Sequence, residues 1–166
     1  NRVVPAALAA LPATMHFQVR HQTGPRHIEM TRNCYRDNGM EAEIVDYIED
    51  MAAAYSWTDL VVCRAGAMTI AELAAVGVGS ILVPYPHAVD DHQTANACYL
   101  TDTGCAVLIP EHELSAAKLA AVLTELCASR QRLLSMAEEC RSLARPHATR
   151  EVINHCLEVA CARSAK

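Results

Sequence analysis

Two stretches of the chain combine small, polar and charged residues in patterns suited to an anionic, hydroxyl-rich ligand. The first is Cys63-Arg64-Ala65-Gly66-Ala67-Met68-Thr69-Ile70-Ala71-Glu72. An apolar run ends there, small residues turn the chain, and a helical pattern begins. Gly66 and its alanine neighbours let a ligand approach the backbone closely. The N–H groups at a new helix start have no intrahelical partners and sit at the positive end of the helix dipole, a natural seat for phosphate. A bland role is open to the same residues: T-x-x-E fits a capping box, with Thr69 as N-cap, Glu72 as its partner and the helix running from Ile70. The second stretch is residues 84–97, Pro-Tyr-Pro-His-Ala-Val-Asp-Asp-His-Gln-Thr-Ala-Asn-Ala. Two prolines stiffen the exit from a strand. Gln93, Asn96, Ala97 and Leu100 share one helical face, with Gln93 near the helix start, where its amide can reach sugar hydroxyls or simply face solvent. His87 offers a general base or a polar contact.

Other chemistry finds little support. The eight cysteines at 34, 63, 98, 105, 127, 140, 156 and 161 form no C-x-x-C pair, the spacing zinc and redox motifs use. Most lie in apolar segments and read as reduced, buried thiols that bind no metal. The histidines show no H-x-x-x-H spacing, and no Ser-His-Asp or Cys-His set can be placed at one edge. No G-x-G-x-x-G or G-x-x-x-x-G-K occurs either. The sequence therefore nominates no cofactor, no metal and no catalytic residue.

The elements that must position the two stretches alternate. Strands are expected at Met15–His21, Glu43–Ile48, Leu60–Cys63, Ser80–Val83 and Cys105–Ile109. The later runs are short and continuously apolar, as in strands buried on both faces of a parallel sheet. Helices are expected at Val4–Leu11, Ile28–Asn38, Met51–Trp57, Ile70–Val76 and His92–Thr103, with Gly39, Gly77 and Gly104 closing three of them. This order predicts an α/β fold, a Rossmann-like doubly wound parallel sheet. Ligands of such sheets bind beyond the carboxyl ends of the strands, so both stretches belong to that edge, side by side if their strands are neighbours. Helices at Ser115–Ser129, Arg130–Arg145 and Ala148–Arg163 follow, and sequential helices of this kind are expected to pack on the flank of the sheet. A doubly wound domain opens with a strand and a phosphate-binding turn; this chain opens in a helical pattern.

Composition fits one soluble globular domain: 166 residues, 52% hydrophobic and 20% charged. No apolar run reaches the ~18 residues of a membrane-spanning helix, and the first residues lack a charged region followed by an apolar one, so no signal peptide is expected. A net charge of −5 and 4% aromatics argue against nucleic-acid binding. Seven acidic residues between Asp37 and Asp59, with no Lys or Arg among them, read as a solvated face.

Several motifs in order resemble a known family. Asp46 through Tyr55, then Asp59 and Val61 through Leu73, His21-Gln22-Thr23-Gly24, Val83 through His87, and Gln93 through Ala97 together resemble MurG, the family of peptidoglycan N-acetylglucosaminyltransferases. The resemblance runs to about residues 146–151. It implies the C-terminal, donor-binding half of a GT-B fold, with residues 1–166 as one UDP-sugar domain ending in a helix from about residue 147. The glycine-rich turn and the acceptor-binding, membrane-docking domain would precede Asn1, and the chain by itself would transfer no sugar. By the same resemblance the backbone of Ile48 meets uracil. The loop and helix start at Ala67, Met68, Thr69, Ile70 and Ala71 hold the diphosphate and sugar, with Arg64 and Gly66 also among the expected substrate-binding residues. Glu72 binds ribose hydroxyls and Gln93 contacts N-acetylglucosamine. The implied partners are UDP-N-acetylglucosamine and a lipid-linked muramyl-pentapeptide acceptor, with membrane contact through the preceding domain only. The full-length protein would sit peripherally on the cytoplasmic face of the inner membrane. Loop N–H groups and a helix dipole would stabilise the leaving diphosphate. The family departs from this sequence at His92, where a second glutamine is common, and in a loop from Tyr85 to Gln93 that is one residue longer here. Two rival readings are another UDP-sugar enzyme of the same architecture, such as an epimerase, and a non-catalytic nucleotide-binding module.

Overall fold

The computed structural model describes residues 1–164, with backbone only at position 89 and from 161 onward. Five strands alternate with helices: α1 (Val3–Ala9), β1 (Arg20–Gln22), α2 (Ile28–Asp37), β2 (Glu43–Val45), α3 (Met51–Trp57), β3 (Leu60–Cys63), α4 (Ala67–Val76), β4 (Gly79–Leu82), α5 (His92–Thr101) and β5 (Ala106–Leu108). Helices α6 (Ala116–Cys127), α7 (Arg130–Ser142) and α8 (Ala148–Ser164) follow, with single 3₁₀ turns at Val89–Asp91 and Glu111–Glu113. Every strand pairing is parallel, and the expected α/β alternation holds.

The hydrogen-bonded order is β1-β2 in one ladder and β3-β4-β5 in another. The parallel strands of the expected doubly wound sheet thus form two hydrogen-bonded ladders. β4 is central and buried along its whole length. Its side chains alternate between two cores, as a pleated strand requires. Leu82 packs with Tyr55, Ile70, Leu73, Leu100 and Cys140, whereas Ile81 packs with Leu8, Tyr35, Leu119, Leu123 and Met136. β3 has β4 on one side only, and its Val62 stays 37% exposed.

Three expectations need correction here. The strand expected at Met15–His21 is only Arg20–Gln22: partner β2 begins at Glu43, whose N–H bonds Val19 O at 2.8 Å, so Phe17 and Gln18 have nothing to pair with. The strand expected at Glu43–Ile48 stops at Val45, because Asp46 Oδ1 accepts the Tyr47 N–H at 2.8 Å and turns the chain. The last helix does not pack on the sheet. Helices α6 and α7 already fill the two cores with Leu119, Leu123, Met136 and Cys140, and α8 leaves Val152, Ile153, Leu157 and Val159 exposed.

Gly39, Gly77 and Gly104 all adopt positive φ, the left-handed conformation that ends helices without a Cβ penalty. At Gly77 the N–H groups of Gly77 and Val78 both reach Leu73 O, and α7 crosses so closely that a Cβ on Gly77 would stand 2.8 Å from Arg141 Cβ and 3.1 Å from Ala137 O. Gly104 has nothing within 4 Å of that position. Gly104→Ala should therefore cost only the left-handed strain, about 1 kcal/mol, and Gly77→Ala that strain plus overpacking, about 2–4 kcal/mol. Urea unfolding with an unchanged m-value measures both.

Candidate functional site

The ligand-side edge is built from the carboxyl ends of β3 and β4. Their register pairs Cys63 with Leu82, and Val83 N–H continues the ladder to Cys63 O at 2.8 Å. The two stretches singled out in the sequence leave the sheet side by side. Side chains then tie them together. Arg64 donates from one guanidinium nitrogen to Val83 O (3.3 Å) and Pro84 O (3.0 Å). It also pairs with Glu111 after β5, and its guanidinium lies 5.5 Å from the Tyr85 ring centroid. Asn96 Nδ2 donates to Ala65 O at 3.0 Å, and Gln93 Oε1 accepts the Tyr85 N–H at 2.9 Å. Arg64, expected among ligand contacts, uses one guanidinium nitrogen to hold three loops. Gln93 fixes its loop through the carbonyl end of its amide, and the NH₂ end is the part a ligand could still engage.

Helix α4 starts at Ala67, three residues earlier than its hydrophobic pattern indicated. Gly66 is the N-cap, in extended conformation (φ −66°, ψ 146°). Thr69 is therefore the third helical residue, and the capping box of Thr69 with Glu72 does not form. Gly66 sits in extended backbone that any residue can adopt, and the loop leaving β3 lets Ala67, Met68 and Thr69 enter helical geometry directly after it. Ile70 N–H is bonded to Gly66 O at 3.0 Å, so the helix ladder begins there and the amides ahead of it face outward. Met68 and Ala67 are exposed, while Ile70 is buried and anchors the turn.

Freed from capping, Glu72 takes a different partner. Its Oε2 accepts from the Tyr55 hydroxyl at 3.0 Å, and Tyr55 is buried in α3. Burial first, and the hydrogen bond to Glu72 second, push that phenol well above its ordinary value. Ile48 stands just past β2, where its N–H donates to Gln22 Oε1 at 2.9 Å. Asp50 then caps α3 by accepting the Ala53 N–H. An open hollow of about 200 Å³ runs beside Ile48, Asp50 and Ala53, and a larger one of about 540 Å³ lies at the amino end of β1 and β2, against Phe17 and Trp57; neither touches residues 64–72. Cys63, beside the first loop, is a resting thiol whose burial pushes it up to about 12. Exposed His87 packs edge-on against Tyr85 with ring centroids 5.5 Å apart. Asp90 and Asp91 hold φ of 52° and 51°, a strained pair in the loop before α5.

Tyr55, Gln22 and Glu111 carried no role in the sequence reading. Tyr55 was detectable only as the third member of the apolar face Met51, Ala54, Tyr55 on α3. Among the described residues no cluster of three His, Cys, Asp or Glu could hold a metal ion. Seven cysteines are free thiols, and the side chain of Cys161 lies outside the described residues.

A parallel α/β domain with two tied βα loops, an open helix start and an anchored carboxylate at its carboxyl edge has the architecture of a ligand-binding Rossmann-like domain. Residues 1–152 match the glycosyltransferase family 28 C-terminal domain, and the chain belongs to that family. It is 54% identical over 160 residues to the UDP-N-acetylglucosamine--N-acetylmuramyl-(pentapeptide) pyrophosphoryl-undecaprenol N-acetylglucosamine transferase of Stutzerimonas stutzeri, covering 96% of this chain and 45% of that protein. The protein of the same name from Ectopseudomonas mendocina is 54% identical over 159 residues, again with 96% and 45% covered. The crystal structure of Acinetobacter baumannii MurG superposes with a TM-score of 0.87 at 39% identity, over 93% of this chain and 46% of that one. The chain thus spans a little under half the length of these relatives.

Arg64 supplies the sharpest test of the loop assembly. Lysine keeps the charge, but its compact ammonium on a shorter stem does not reach the same point and cannot lie on the Tyr85 ring as a planar guanidinium does. Arg64→Lys should lower stability by about 1–2 kcal/mol, since the group is half exposed. Urea unfolding measures this loss.

Proposed function

We propose that this chain is the donor-binding part of an inverting glycosyltransferase that moves N-acetylglucosamine from UDP-N-acetylglucosamine to an undecaprenyl-diphospho-muramoyl-pentapeptide in peptidoglycan synthesis. The observation that carries the reading is the edge itself: a helix start with outward amides, a carboxylate five residues into that helix, and a second loop tied against both. The names of the relatives at 54% identity support the same substrates.

In this reading the backbone of Ile48 meets the uracil and Glu72 accepts from the ribose hydroxyls. The amides from Gly66 to Thr69 face the diphosphate, with Ile70 and Ala71 completing the turn beneath it. Gln93 contacts the N-acetylglucosamine, and Arg64 acts by holding the loops that shape the site. An acceptor hydroxyl attacks the anomeric carbon, the bond from that carbon to the UDP oxygen breaks, and configuration inverts. Negative charge growing on the diphosphate is then met by fixed amide dipoles and the positive end of α4.

The acceptor, the group that takes its proton and the membrane contact belong to a preceding domain, on the cytoplasmic face of the membrane. One feature of the fold suits such a neighbour: the uncovered apolar residues of α8.

A single substitution tests the nucleotide assignment. Glutamine at position 72 loses the charge and one acceptor oxygen, and the helix start does not depend on it. Glu72→Gln in the complete protein should keep nearly the same melting temperature and bind UDP on the order of 10- to 150-fold more weakly. Calorimetric titration decides, and an unchanged affinity would remove Glu72 from the ribose site.

A further inference from the structure

We propose that Tyr55 is a positioning residue for the nucleotide site, its hydroxyl holding the Glu72 carboxylate in the orientation that receives a ribose diol. The proposal rests on the reading of Glu72 as the ribose acceptor and adds the residue that prepares it.

Glu72 is half-buried on α4 and carries three side-chain torsions. A free glutamate there would sample many rotamers, and a ligand would have to immobilise it on binding. The structure removes that freedom beforehand. Tyr55 projects from α3 into the core with Ala65, Ile70, Leu73 and Ala74, and only 8% of its surface is exposed. A ring packed on several sides cannot move its hydroxyl far, so the 3.0 Å bond to Glu72 Oε2 pins the carboxylate to the core.

The direction of that bond follows from chemistry. An ionised carboxylate only accepts, so the phenol donates, and a bond to a charged acceptor is among the stronger kinds. Burial first and Glu72 second hold the phenol protonated far above neutral pH, so the donor persists wherever the carboxylate is charged. One tyrosine proton engages one oxygen. The other carboxylate oxygen and the remaining lone pair of the first are left for two ligand hydroxyls. Helix capping does not account for the contact, because Gly66 caps α4 without it.

If the hydroxyl merely satisfied itself on the nearest carboxylate, its loss would affect stability and not ligand discrimination. Calorimetric titration separates the cases, using UDP and a UDP analogue lacking both ribose hydroxyls. The proteins are the complete protein and its Tyr55→Phe, Glu72→Gln and doubly substituted variants, each with a thermal melt. Tyr55→Phe should weaken UDP roughly 3- to 10-fold and leave the analogue within twofold. The double variant should bind UDP no more weakly than Glu72→Gln alone, as two residues acting through one contact do. The ratio of the two affinities cancels any shared loss of folded protein, so a destabilised Tyr55→Phe still reads out. Equal weakening toward both ligands would make Tyr55 purely structural and overturn the proposal. Tyr55→Phe indistinguishable from the parent, while Glu72→Gln is impaired, would overturn it and leave the ribose reading standing. An unimpaired Glu72→Gln would overturn both.

Discussion

Four residues of β3 lie in parallel register with four of β4, and everything at the ligand edge descends from that pairing. Parallel strands end on the same side, so the loops after Cys63 and Leu82 emerge as neighbours although eighteen residues of chain lie between those two positions. Arg64 and Asn96 can then bridge them at hydrogen-bond distance. The same pairing fixes where α4 begins. Once Cys63 is held in the ladder, three residues of loop carry the chain to Gly66, and only there can the helix start.

The helix start and the carboxylate are mechanically linked through the core. Ile70 and Leu73 bury one face of α4 against Leu82 and Tyr55, while the opposite face presents Ala67, Met68 and Ala71 outward. Glu72 lies at the boundary, close enough to the core for the Tyr55 hydroxyl and exposed enough for a ligand. A rigid scaffold beneath, small residues above and one anchored charge make the surface that the proposed function assigns to a diphosphate and a diol.

Much of this was legible in the chain itself. The apolar run of β3 was found with its observed bounds, α3 likewise, and three glycines were correctly read as helix ends. Such signals are local: continuous hydrophobicity and left-handed backbone are decided within a few residues. The misreadings had non-local causes. Phe17 and Val19 alternate like a strand, but β2 begins at Glu43 and reaches no further back than Val19 O, so Phe17 meets no partner strand. Thr69 and Glu72 have capping-box spacing, yet Gly66 takes the cap because its loop geometry is set by the sheet. The exposed α8 has an apolar stripe whose partner its own sequence does not specify. Tyr55 looked like a core residue, and it is one; that its hydroxyl would find Glu72 depended on how α3 packs against α4, which spacing does not encode. The assignments of Ile48 and Arg64 came from family resemblance, that of Gln93 from its place near a helix start as well, and the side-chain bonds of Gln22, Arg64 and Gln93 add structural duties that neither reading supplied.

The central claim is that the carboxyl edge, and not the larger hollow beside Phe17 and Trp57, receives the nucleotide. Residue-resolved amide NMR of the complete protein during a UDP titration tests this most directly. The largest shifts should fall on the backbone amides of Gly66, Ala67, Met68, Thr69 and Ile48, with smaller ones at Tyr85 and Gln93. Shifts centred on Phe17, Glu43 and Trp57, with the amides of residues 66–69 unmoved, would contradict the account.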